Sequence, residues 1–199
     1  GLQKNYIDNT LKILYYFIFS ILSSISLSQN YVENKNRMKA FEANDLPIID
    51  GEVINDPAWK SILSASGFVQ QSPDEGKSAT EKTEVKIMFS DKNMYLAVIC
   101  YHNDPENIMI LDARRDSPLD DMDSFIFIID TFNDNQNGYA FGTNAAGIEY
   151  DAQITKGGEG GSMSRRFSAG AVGGYNINWD ASWSVKSLIG DFGWSAEFV

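Results

Sequence analysis

The chain has 199 residues, 43% hydrophobic and 22% charged, with 16 glycines and a formal net charge of -11. That length and apolar content suit one domain with a real core and exclude a disordered chain. The acidity disfavours nucleic acid and anionic membrane surfaces, which would repel it, and leaves neutral ligands and cations as the easier partners.

Residues 1–28 read as a signal peptide. The run LKILYYFIFSILSSISL, Leu11 to Leu27, is apolar and small, with Lys4 and Lys12 on its N-terminal side and Ser26 and Ser28 before Gln29. Its strongly apolar centre, Ile13 to Leu22, is only ten residues long. A membrane anchor needs about 20, so the reading is a cleaved signal. No cysteine follows it, which argues against a lipoprotein. Residues 29–45 are polar and read as a linker.

The next segment turns at Asp50-Gly51. Asp56-Pro57 then caps a short helical turn leading to Trp59. Residues 71–82 are loop-like. Val85, Ile87 and Phe89 alternate with Glu84, Lys86 and Met88, the period of a strand. A turn at Ser90–Asn93 and the apolar run MYLAVICY complete a hairpin. Residues 102–123 form a long acidic connection. SFIFIID, 124–130, is expected to be the most buried strand. TFNDNQNG is expected to turn tightly at Asn137-Gly138. YAFGTN and GIEYDAQI read as two strands joined by a turn at Asn144–Gly147. Residues 156–174 hold seven glycines and read as a mobile loop. WDASWSVKS and GWSAEFV read as the last two strands. No amphipathic helix of useful length is present. The fold class expected is all-β, an antiparallel β-sandwich. The sequence stops at Val199 inside a strand, so the sandwich is expected to be truncated at its C-terminus.

Cys100 and His102 are the only cysteine and histidine. They allow no internal disulfide and are too few for a zinc site or a Ser-His-Asp or Cys-His nucleophile. Cys100 is expected to be buried and His102 to lie at a strand end. No phosphate loop, GxSxG or GxGxxG pattern is present.

Several motifs occur in order: IDG…DPAW, F-x-Q-x2-P-x2-G, ATEKTEVK, LAVICY, RRDS…DMD, DTFNDNQNGYAF, N-x2-G-x2-D, WDASW and GWSAE. Together they resemble the family 9 carbohydrate-binding-module-like domain at the front of long secreted or outer-membrane proteins with a β-rich C-terminal region. The resemblance covers residues 46–199. It implies a two-sheet sandwich, a carbohydrate ligand, and calcium in some members. It also implies export, to the periplasm, outer membrane or cell surface of a Gram-negative-type bacterium, with the β-rich region of the same longer protein as partner. Family members continue after GW-x-AE with an Ile-Pro-Phe-like strand that this chain lacks, a departure that fits truncation.

Two constellations carry the functional expectations. Asp112, Asp116, Asp120, Asp121, Asp123, Asp130 and Asp134 lie within 23 residues, beside Arg114 and Arg115. One reading is that they hold backbone N–H groups of turns. The other is a hard-cation site, since calcium takes six to eight oxygens. Its candidate ligands are Asp116, Asp121, Asp123 and Asp130, with Asp116 paired to Arg115. The stretch from Asn133 imitates an EF-hand start but lacks Asp at position 1 and Glu at position 12, so it reads as a hairpin turn. The aromatics are the second constellation. Trp59 and Trp194 sit among apolar residues and read as core. Trp179 and Trp183 flank Asp180–Ser182 and are candidate sugar-stacking residues, with Arg114, Arg115 and Asn144 as hydroxyl partners. The family's module is non-catalytic. Two competing readings stand beside it: a structural partner domain for an outer-membrane β-barrel, and a glycosidase, which needs two carboxyl groups facing across a cleft. Exposure of Trp179 and Trp183 separates a binding role from a structural one.

Overall fold

The computed structural model describes residues 38–158 and 174–199. The segment read as a signal peptide, the first part of the stretch read as a linker and most of the glycine-rich loop fall outside the described residues. One sheet has five strands, in the order β1 (Phe41–Glu42), β2 (Thr83–Phe89), β3 (Met94–Tyr101), β9 (Gly193–Phe198) and β8 (Val185–Gly190). The other has four, in the order β4 (Ser124–Ile129), β5 (Gly138–Asn144), β6 (Tyr150–Ile154) and β7 (Tyr175–Asn176). All pairings are antiparallel except β1 with β2. Phe125 and Phe127 of β4 meet Phe198 of β9 with ring centroids 6.1 and 5.2 Å apart, which brings the two sheets face to face. The chain is an all-β sandwich, as the strand periodicity implied.

Side chains alternate between faces along a strand, and here both faces of the five-stranded sheet are covered. On the outer face, Met88, Tyr95, Ala97 and Ile99 pack beneath Val53, Trp59 and Ile62 of the N-terminal segment. This double cover explains why β3 is apolar without interruption. It also explains why every residue of β9 is buried, Ser195 and Glu197 included.

Glu197 organises that outer layer. Its carboxylate accepts N–H bonds from Asp50 at 3.0 Å, from Gly51 at 2.8 Å and from Trp59 Nε1 at 2.6 Å. Ser195 Oγ donates to the Gly51 carbonyl at 2.6 Å. Gly51 has φ +95°, and a Cβ there would lie 2.5 Å from the Ser187 carbonyl carbon, so both backbone sign and space require glycine. Trp59 sits on the short helix α1 (Pro57–Lys60), whose cap Asp56 accepts the Ala58 N–H at 2.8 Å. The IDG, DPAW and GWSAE motifs are therefore parts of one buried contact. A buried carboxylate is tolerated only when hydrogen-bonded. Burial still outweighs those bonds and raises the Glu197 pKa above its usual value of 4.5.

The four-stranded sheet has its own outer layer, where Leu119, Ile148, Tyr150 and Tyr175 cover Ala140 and Ala152. Gly142 leaves room for this layer: a Cβ there would come within 2.7 Å of Leu119 Cδ1 and 2.9 Å of Ile126 Cγ1.

Several expectations are corrected. SFIFIID is an edge strand rather than the most buried one. Ile126 lies under the Leu119 layer, but Ile128 is 54% exposed. Asn137-Gly138 is not the hairpin turn, because Gly138 already pairs with Ile154 in the ladder. The positive φ values fall at Asn133 and Asn135, inside a wider loop. The polar stretch assigned to a linker contributes β1. Trp179 to Ser184 crosses irregularly between the sheets, and strand structure begins only at Val185. Cys100 is half-buried rather than buried, and burial pushes its thiol up to about 12, so it stays protonated.

Candidate functional site

The acids of the 112–134 region do several separate jobs. Asp130 accepts N–H bonds from Phe132 at 3.2 Å, Asp134 at 3.3 Å and Asn135 at 2.8 Å. Asp134 accepts those of Gln136 and Asn137, both at 2.8 Å, and the Asn137 Nδ2–H at 2.7 Å. These bonds hold the Asp134 carboxyl below the usual carboxylate range. Asp123 accepts the Met109 N–H at 2.6 Å, tying the acidic connection to the start of β4. Asp121 is exposed and takes a left-handed turn position with φ 60°. The turn-capping reading therefore accounts for Asp123, Asp130 and Asp134.

Arg115 gathers Asp116 together with acids from elsewhere in the chain. Its Nη2 lies 3.2 Å from Asp151 Oδ1 and its Nε 3.4 Å from Asp116 Oδ2, and it also pairs with Glu149 and Asp180. The expected Asp116–Arg115 pair is present within this larger group. Asp151 is 1% exposed, and its second oxygen accepts the Ala181 N–H at 2.7 Å. Arg115 thus fastens the 179–184 crossing to β6. The guanidinium fills the place among these carboxylates that a cation would take. Partial burial, opposed by Arg115, raises the Asp116 pKa. Among the described residues, no three His, Cys, Asp or Glu side chains are arranged to hold a metal ion. Asp116, Asp121, Asp123 and Asp130 do not come together as one ligand set.

Of the expected hydroxyl partners, Arg114 is exposed but its Nε donates to Asp112 at 3.0 Å. Asn144 is fully buried, with Nδ2 donating to the Asp112 carbonyl at 2.7 Å and Oδ1 accepting from the Ala146 N–H at 2.9 Å. Its amide is engaged in holding the acidic connection against β5.

The tryptophans divide as well. Trp59 and Trp194 are core, at 0% and 2% exposure. Trp183 is half-buried. Its ring stacks on Phe198 at 5.9 Å and meets Phe141 edge-on at 5.3 Å, so it fills the space between the sheets. Trp179, also half-buried, stacks on Tyr139 at 4.4 Å, near the end of the four-stranded sheet.

At that end lies an open cleft of about 320 Å³. Phe132, Asp134 and Asn137 line it from the β4–β5 loop, Tyr139 from β5, and Gln153 and Thr155 from β6 and its end. Phe132 is 68% exposed. Tyr139 is backed by Trp179. No hydrogen bond engages the Gln153 amide among the described residues. The loop is braced by the Gly157 N–H, which donates to the Gln136 carbonyl at 2.7 Å. The cleft thus combines an exposed aromatic ring, a stacked aromatic pair and side-chain amides on a sheet. Sequence reading missed Phe132, Tyr139, Asn137 and Gln153. The signal available was a lone phenylalanine inside the polar run TFNDNQNG. Among the described lining residues Asp134 is the one acid.

No protein-family model, curated protein or solved structure matches this chain. The fold class rests on the two sheets.

Proposed function

We propose that this chain is a non-catalytic carbohydrate-binding module of an exported protein, supporting breakdown or uptake of poly- or oligosaccharides at the cell surface. The observation that carries the reading is the cleft. Sugars present apolar C–H faces that stack on aromatic rings and hydroxyls that need donors and acceptors. Phe132 and Tyr139 offer the rings, Gln153 offers its amide and Asn137 its side-chain oxygen, the Asn137 Nδ2 being bound to Asp134. This differs from the site expected from sequence. Trp179 acts from behind, as the support of Tyr139, and Trp183 belongs to the interior.

Isothermal titration against a panel of neutral oligosaccharides tests the reading. Binding by the native chain, lost in Phe132→Ala and weakened in Gln153→Ala while both variants stay folded, is the expected result. A folded chain that binds no glycan refutes it.

A second reading, a structural partner of an outer-membrane β-barrel, is favoured by one feature. Met109, Ile110 and Leu111 form a consecutive apolar stretch, exposed at 51%, 39% and 62%. Replacing all three with serine would weaken association with a β-rich region and leave glycan binding unchanged.

A further inference from the structure

We propose that this cleft, taken as the carbohydrate site, selects by charge: it takes neutral or amino-bearing sugars and turns away uronates and sulfated glycans. The inference rests on the carbohydrate reading and adds the class of ligand to it.

The first argument is charge. Asp134 lines the cleft, and its three hydrogen bonds come from neutral N–H groups, not from a cation. Its negative charge therefore remains. Asp130 stands at the base of the same loop, with its carboxylate likewise bound to backbone N–H groups. Among the described residues, no lysine or arginine lines the cleft, and Lys156 is the one cation within two residues of that lining. Arg114 and Arg115 are paired with acids elsewhere.

The second argument is hydrogen bonding. A loop with left-handed residues, as at Asn133 and Asn135, is the kind of backbone that can cradle an anion with its N–H groups. Here most of those donors are spent. The N–H groups of Phe132, Asp134 and Asn135 go to Asp130, and those of Gln136 and Asn137 go to Asp134. The Asn137 Nδ2–H is also given to Asp134. The loop side of the cleft is thus rich in acceptors and poor in donors. Hydroxyl and ammonium groups, which donate, complement it. A carboxylate or sulfate, which only accepts, does not.

The test is titration of the full chain at low ionic strength and pH 6. The probes are β-1,4-linked hexamers in gluco, manno and galacto series, each as neutral sugar, 2-amino sugar and uronate. Within the series that binds, the uronate is expected to be at least about tenfold weaker than the neutral hexamer, the effect of two like charges about 6 Å apart at intermediate dielectric. The amino sugar should bind as well as the neutral one or better. Salt at about 1 M should close the gap by screening. Asp134→Asn should also narrow it, since asparagine keeps an oxygen to accept the loop N–H groups. Equal binding of neutral sugar and uronate, with both lost in Phe132→Ala, overturns the charge selection and leaves the carbohydrate reading standing. No binding by any hexamer in a folded chain overturns both.

Discussion

Two regions of this sandwich use the same kinds of residue to opposite ends. Over the outer face of the five-stranded sheet, a tryptophan, a carboxylate and an Asx-Gly turn close on one another: Trp59, Glu197 and Asp50-Gly51. At the open end of the four-stranded sheet, Phe132, Tyr139 and Asp134 border a cleft. In the first region every polar atom of the carboxylate is used, and the aromatic ring has no exposed surface. In the second, the acids hold a loop that leaves an aromatic ring 68% exposed. Residue type does not separate core from site here. What separates them is whether another layer of chain lies over the sheet.

The comparison can be broken most forcefully at Trp59. Trp59→Ala should cost about 3–5 kcal/mol by the cavity it opens in the outer layer, read from urea or guanidinium unfolding. A loss below about 1 kcal/mol would mean that the layer is not integral to the fold. Arg115→Met comes next. It leaves Asp151 buried beside Asp116 and Glu149 with no cation, but Arg115 is 42% exposed and solvent moderates the effect. About 1–2 kcal/mol is expected, with increased proteolysis of the 179–184 crossing.

A smaller effect is a pH slope from Glu197. Burial raises its pKa in the folded state, so the folded protein binds this proton more tightly than the unfolded chain does. The resulting stability is fully present below the ordinary pKa and is lost as pH rises through the raised one. Glu197→Gln should flatten that part of the stability profile. An unchanged slope would place its origin elsewhere. Phe132→Ala should have the least effect on stability, within about 0.5 kcal/mol, while abolishing glycan binding. That contrast with Trp59→Ala, a large stability change against a small one with lost binding, is the sharpest form of the comparison.

Much of the frame was legible in the chain. Alternation at Val85–Phe89 and the apolar run of MYLAVICY give the hairpin, and Asp56-Pro57 gives the capped helical turn. The interlock at Glu197 was not legible. In GWSAEF, Ser195 and Glu197 alternate with Trp194, Ala196 and Phe198, the pattern of a strand with one wet face. The N-terminal segment folds over that face and buries it. Asn144 misled for a related reason: a polar side chain near a turn looked available, yet its amide is spent within the fold. Asp130 suggested a cation ligand because its backbone partners, which lie close in sequence, are defined only by the loop's conformation.

By itself the sequence determined the all-β class, most strand positions, several turns and the acidic character that disfavours polyanionic partners. These follow from short-range periodicity, local backbone preference and composition, which need no knowledge of what lies across the sheet. The tertiary structure alone decided which tryptophans are core, which acids are spent on N–H groups, and where an aromatic ring is left open beside the Gln153 amide. The core tryptophans depend on contacts between residues far apart in the chain, as between Glu197 and Trp59, and such contacts leave no periodic trace in the sequence; the capping acids depend on the loop's conformation, which composition does not specify.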